Sequence, residues 1–110
     1  MPADPRIEAF KKFVEQKPED PFPRYSLAMA YRSAGQLAEA VSEFETLVAR
    51  APSYIPTYLM LGQTLEQLGR KRDAAMIYKN GMTAATQAGN GHAQGELMSA
   101  YELVRSASGE

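Results

Sequence analysis

Apolar residues along this chain recur at intervals of three and four, the period of an amphipathic helix. The first run holds Ile7, Phe10, Phe13 and Val14, with Glu8, Lys11, Lys12 and Glu15 turned the other way. Asp4 can cap it, Pro5 suits a first helical position, and Pro18 stops it, which predicts a helix over 4–17. Asp20-Pro21 opens a second helix by the same device, running to Ser33-Ala34 and ending at Gly35. That helix is apolar on two faces, with Leu27, Ala28 and Tyr31 on one and Phe22, Tyr25 and Met29 roughly opposite. Leu37 to Arg50 follows, with Val41, Phe44, Leu47 and Val48 inward and Glu39, Glu43 and Glu45 outward.

Pro52 and Ser53 break the pattern, and Pro56 lies in the first turn of a helix reaching Leu68, with Gly69 beyond it. Lys71 to about Ala88 is the next helix, with Ala74, Ile77, Tyr78 and Met82 inward. Gly81 and the run Thr83-Ala84-Ala85-Thr86 are expected to soften it. Gly89-Asn90-Gly91 marks a turn. A closing helix over about 92–106 would bury Ala93, Leu97, Ala100, Tyr101 and Val104, and the tail Ala107 to Glu110 is expected to fray.

The helices are related by a fixed offset. Leu27-Ala28, Tyr31, Gly35, Ala40 and Phe44 return thirty-four residues later as Leu61-Gly62, Leu65, Gly69, Ala74 and Tyr78. Thirty-four residues before Val41, Phe44, Leu47, Val48 and Pro52 stand Ile7, Phe10, Phe13, Val14 and Pro18. A helix–turn–helix unit of this period, with a small residue in mid-helix and a closing Pro, resembles the tetratricopeptide repeat (TPR). Gly62 costs about 1 kcal/mol of helix propensity against Ala, so its presence predicts a backbone contact too close for a methyl group. The family's aromatic near the start of each first helix is Tyr58 in one repeat and is replaced by Arg24 in the other. Thr86 stands where the closing Pro belongs, so that helix is expected to run on by a turn.

The resemblance implies an all-α, TPR-like helical solenoid of about six antiparallel helices in a single domain over 1–110. It divides into a half-repeat helix over 4–18, full repeats over 21–54 and 55–88, and a capping helix over 91–107. Glu96 occupies the small-residue position in the last helix, where a carboxylate cannot enter a tight helix contact, so that helix is read as a solvating cap.

Proteins of this family generally hold an extended or helical peptide on a concave face lined by the first helix of each repeat. The positions that carry over are Phe22, Tyr25, Met29, Arg32, Leu59, Gln63, Glu66, Leu97 and Tyr101. The Lys, Arg and Asn clamp with which some members grip a terminal carboxylate is missing, because Tyr25, Met29, Met60, Asn90 and Gln94 stand at those positions. A groove rich in Tyr, Met and Leu suits an apolar or amphipathic segment instead. Tyr25, Met29 and Leu59 read equally well as packing between repeats, since periodicity does not separate core from groove.

Composition narrows the classes. The chain has 110 residues, enough for one core. Twelve basic against thirteen acidic residues give a net charge of −1, without the basic excess of a nucleic-acid binder. There is no cysteine, hence neither disulfide nor thiol nucleophile, which fits a reducing compartment. No apolar run is long enough for a membrane span, and Met1-Pro2-Ala3-Asp4 lacks the basic start of a secretory signal, so a cytoplasmic location is expected. The single histidine, His92, has no companions for base or metal chemistry and is read as a surface residue. The run Arg70-Lys71-Arg72 is read as a solvated turn. With no phosphate loop, nucleophile–base pair or metal spacing, no enzyme and no cofactor are expected. The expected partner is a segment of another protein. The rival is self-association, as a homodimer, through apolar surface left by Met98 and Leu103 on the last helix.

Overall fold

The structure, a computed structural model, describes residues 4–107. Six α-helices follow one another in it: α1 (Pro5–Gln16), α2 (Pro21–Ser33), α3 (Leu37–Arg50), α4 (Pro56–Gln67), α5 (Lys71–Gln87) and α6 (Gly91–Ala107). No strand occurs among the described residues. The expected Asp caps form: Asp4 accepts from the Arg6 N–H at 2.9 Å and Asp20 from the Phe22 N–H at 3.0 Å. Each leaves Pro at the first helical position, where no N–H is needed.

The turns inside the two repeats are copies of each other. Gly35 and Gly69 both take φ of +78°, a left-handed conformation that a side chain would strain. The next amide then reaches back five residues, Gln36 N–H to the Tyr31 carbonyl and Arg70 N–H to that of Leu65, both at 2.9 Å. These bonds satisfy carbonyls that the helix end would otherwise leave open. The α5–α6 turn repeats the device, with Asn90 N–H bonded to the Ala85 carbonyl.

Each helix packs on the next, and α4 also touches α6. The molecule measures 39 × 32 × 19 Å, and the short dimension is the thickness of two helix layers. One layer holds α2, α4 and α6, the other α1, α3 and α5. The core runs between the layers: Leu27, Ala28, Phe44, Leu47, Leu61, Leu65, Tyr78, Leu97 and Val104 are nearly or fully sealed from water.

The expectation at Gly62 holds, with one correction of detail. A Cβ there would stand 2.1 Å from Cε1 of the Tyr78 ring, so the close neighbour is a side chain and not a backbone. Gly81 departs further from its reading. It is buried, and a Cβ on it would lie 2.6 Å from Tyr58 Cβ and 3.1 Å from Leu97 Cδ1. Where a softening residue was expected, glycine lets α4 and α6 close over α5. Helix α5 does run on, at 17 residues against 14 for α3. Ala107 closes α6, and the remaining residues of the expected frayed tail, 108–110, lie outside the described residues, as do residues 1–3. Two buried threonines, Thr57 and Thr64, were not singled out. Thr64 returns its hydroxyl to the Met60 carbonyl at 2.7 Å.

Candidate partner-binding groove

The layer of α2, α4 and α6 forms the face on which the sequence places its candidate residues. Side chains there come from a helix already anchored by its opposite stripe, so their positions follow from the core. Tyr25 on α2 packs edge-on against Phe44 and Tyr54, with ring centroids 6.0 and 5.7 Å away. Burial, helped by the neighbouring Tyr54, pushes its phenol pKa up, and Arg32 opposes the shift. The ring therefore stays neutral and presents one edge to solvent. Leu59, Met29 and Tyr101 are likewise partly buried against the core. The alternative of core or groove does not divide these residues, because each packs inward with one flank and offers the other.

A hollow of about 260 Å³ lies between the three helices. Tyr25 borders it from α2, Leu59 and Met60 from α4, and Ala93 and Leu97 from α6, with Ile55 and Pro56 at one end. Leu97 contributes little surface: it is only 1% exposed and belongs to the core beside Gly81. In its place Ala93 and Met60 line the groove. Ala93 was read as part of the buried stripe and Met60 as a lost clamp position. Ile55 was missed because it sits in the turn before Pro56, outside any periodic run, and an apolar residue in a turn is the signal that could have found it. Glu96 and His92 stand at the rim, exposed and 3.4 Å apart.

The polar candidates bind one another. Arg32 at the end of α2 crosses to α4, donating to Gln67 Oε1 at 3.1 Å and Gln63 Oε1 at 3.3 Å, with the Met60 sulfur at 3.2 Å. Its charge also sits favourably at a helix C-terminus. Glu66 accepts from the Tyr78 hydroxyl, and burial together with that bond raises the Tyr78 pKa well above the tyrosine range. One end of the face is thus a polar bridge and the other an apolar hollow. Phe22, 62% exposed, is the outlier: it lies beside Phe10 and Met29 in a second hollow between α1 and α2. The face does not bring Phe22 and Tyr101 into the hollow under Tyr25.

Among the described residues no group of three or more His, Asp or Glu could hold a metal, and no helix is long and apolar enough to cross a membrane.

Comparison with known proteins agrees with the geometry. No curated protein sequence matched the chain. The family profile described as tetratricopeptide repeat matches twice, over residues 24–54 and 55–86. The solution structure of a tetratricopeptide repeat domain protein from Salinibacter ruber is 36% identical, with a TM-score of 0.78 over 82% of this chain and 91% of that one. A crystal structure of a tetratricopeptide repeat domain protein from the same organism is 35% identical, with a TM-score of 0.74 over 78% and 97%. A protein from Bordetella parapertussis, 21% identical, shares the fold at a TM-score of 0.78 over 97% and 91%. The paired small residue and ring, the two identical glycine turns and these matches together make the chain a member of the tetratricopeptide repeat family, whose repeats generally serve protein–protein interaction.

Proposed function

We propose that the protein is a non-enzymatic binding module that holds a peptide or helical segment of a partner protein across α2, α4 and α6. The observation that carries this reading is the hollow under Tyr25, Leu59, Met60 and Ala93, sized for one apolar side chain and open on the face opposite the α1–α3–α5 layer. The Arg32–Gln63–Gln67 bridge beside it fixes the spacing of α2 and α4 and offers polar atoms to a peptide backbone. Aromatic residues usually dominate such surfaces, which points to Tyr25 and Tyr101. With no cysteine, the module folds without an oxidising compartment, in keeping with a cytoplasmic location. A second reading, pairing of two copies through α6, draws on Met98 and Leu103, which are 43% and 74% exposed.

The test is selection of binding peptides from a random library, followed by calorimetric titration of variants. Leu59→Glu and Ala93→Glu should weaken a selected peptide tenfold or more while leaving the thermal midpoint nearly unchanged, because both side chains are partly exposed. Arg70→Ala and Lys71→Ala should have no effect. Loss of binding only in the basic-run variants would move the working surface to the other edge of the molecule. Light scattering on dilution separates the reading through α6 from both.

A further inference from the structure

Arg32 differs from four other arginines of the chain in what holds it. Arg6, Arg24, Arg70 and Arg105 each pair with a carboxylate, from Asp4, Glu43, Asp73 and Glu102. Arg32 crosses from α2 to α4 and meets only neutral acceptors among the described residues: the side-chain oxygens of Gln67 and Gln63 and the sulfur of Met60. A guanidinium has five N–H groups, so three are used and two are left. Each glutamine accepts through its oxygen, which leaves its NH2 group to donate. The cluster therefore presents N–H donors and one permanent positive charge, with its oxygens engaged by the guanidinium.

We infer, resting on the groove reading above, that this cluster selects a partner segment carrying an acidic side chain beside its apolar anchor. Met60 sets the distance. It lines the hollow, and its sulfur lies 3.2 Å from Arg32 Nη1, so anchor and carboxylate sit one side chain apart. That is about 6–7 Å, the separation of residues two apart in an extended segment or three to four apart on a helix. A carboxylate has two oxygens with which to meet the two spare N–H groups, and a bond between charged partners is about twice as strong as a neutral one.

The carboxylates already on this face are taken. Glu66 accepts from the Tyr78 hydroxyl in its own repeat, and Glu96 stands beside His92 at the α6 rim of the hollow. A phosphate fits less well than a carboxylate, because its greater charge calls for a cluster of cations. Helix α4 has no basic residue, and Arg24, the other cation of α2, is paired with Glu43. Nor is the occupant a chain end. The clamp positions that would grip a terminal carboxylate hold Tyr25, Met29, Met60, Asn90 and Gln94, and Arg32 stands outside them. A side chain in mid-segment needs no such clamp.

The test selects binders of the full chain from a random peptide library whose C-termini are fused to the carrier, so that every carboxylate comes from a side chain. A second library with free C-termini runs beside it. Fused peptides that lose affinity with Leu59→Glu should be enriched in Asp or Glu at the stated spacing from an apolar residue. One of them, made with an amidated C-terminus, is titrated calorimetrically. Exchanging its acidic residue for the matching amide should weaken binding to the parent about tenfold, and binding to Arg32→Gln by about twofold at most. Gln67→Glu keeps the cation but gives it a carboxylate of its own chain. Because Gln67 is exposed, that variant should keep the parent melting curve while erasing the same preference. Groove binders without acidic enrichment overturn the inference and leave the groove standing. So does an amide peptide that Arg32→Gln weakens as much as the acidic one, since Arg32 would then only brace the helices. Binders found only with free C-termini overturn it in favour of a chain end. Binders indifferent to Leu59→Glu overturn the groove itself, and the inference with it.

Discussion

The two full repeats solve one packing problem with different residues. In the second, α4 and α5 close with Gly62 under Tyr78; in the first, the same positions of α2 and α3 hold Ala28 and Phe44, both fully buried. Near the start of α2, Arg24 donates to Glu43 on α3 at 2.8 Å, a pair largely shielded from water. At the same place in α4, Tyr58 donates its hydroxyl to the Pro52 carbonyl, and the position of Glu43 is filled by Ile77. Two turns further on, Arg32 reaches out to the next repeat, whereas Glu66 reaches back to Tyr78 in its own. The backbone turns meanwhile are the same. What the array conserves between its halves is the volume shared by facing positions and the left-handed turn, not the identity of either partner.

The largest expected effect lies at the closest contact. Gly62→Leu should cost about 3 kcal/mol, the upper end for overpacking, because the Tyr78 ring is fully buried and has nowhere to move. Gly62→Ala is the sharper experiment. Helix propensity alone predicts a gain of about 1 kcal/mol, while the overlap with Tyr78 predicts a net loss. Adding Tyr78→Phe recreates the pair of the first repeat and frees the ring from Glu66, so the double variant should recover part of the loss, with a coupling of about 1 kcal/mol or more. Urea melts of the four proteins decide it. A Gly62→Ala variant more stable than its parent would mean that the ring gives way, and the two repeats then differ in shape as well as in residues.

Next in size is the exchange at the start of the helices. Arg24→Tyr alone leaves Glu43 without its partner, and Glu43→Ile alone does the same to Arg24. Each should cost about 1–2 kcal/mol, since the pair is mostly out of water. Made together they copy Tyr58 and Ile77, and replacing such a pair by apolar packing is often neutral or stabilising. The expected double variant is therefore within about 0.5 kcal/mol of the parent, well short of the sum of the singles. Additive costs, read from the same denaturation curves, would show that the first repeat depends on its ion pair for more than filling the site.

How far the sequence revealed all this follows from where each signal sits. Helices α1 to α5 were legible because every one is bracketed by Asp-Pro, Pro or Gly at a position where backbone geometry demands it. The thirty-four-residue offset then ordered them, since facing residues recur together. The groove was less legible. Met60, Ala93 and Leu97 share one helical periodicity whether they line a hollow or fill a core, and only the third dimension separates them. Gly81 was misread for a related reason: propensity reports what glycine costs a helix, and not what its missing side chain lets come near. The Arg32 bridge was within reach, because cation and amides stand within a turn of matching positions on successive first helices.

The smallest effect tests the hydroxyl that separates Tyr78 from Phe44. Removing it by Tyr78→Phe should cost about 1 kcal/mol near neutral pH, the worth of one hydrogen bond, because Glu66 is exposed and regains water when the bond is lost. The pH dependence is the more telling readout. Burial first, and the bond to Glu66 second, raise the folded-state pKa of Tyr78 above its unfolded value near 10.0. The unfolded chain thus releases this proton before the folded one does. The stability linked to Tyr78 is fully present below pH 10 and falls as the pH climbs above it, by about 1.4 kcal/mol per unit for a single group. Tyr58 and Tyr25 are shifted in the same direction, so the parent should lose stability steeply on that limb. Tyr78→Phe should lose it less steeply, and the two stability–pH curves should approach each other above pH 10. Parallel curves would mean that Tyr78 ionises as easily folded as unfolded. In that case its bond to Glu66 does not persist in solution, and the second repeat closes, as the first does, by shape alone.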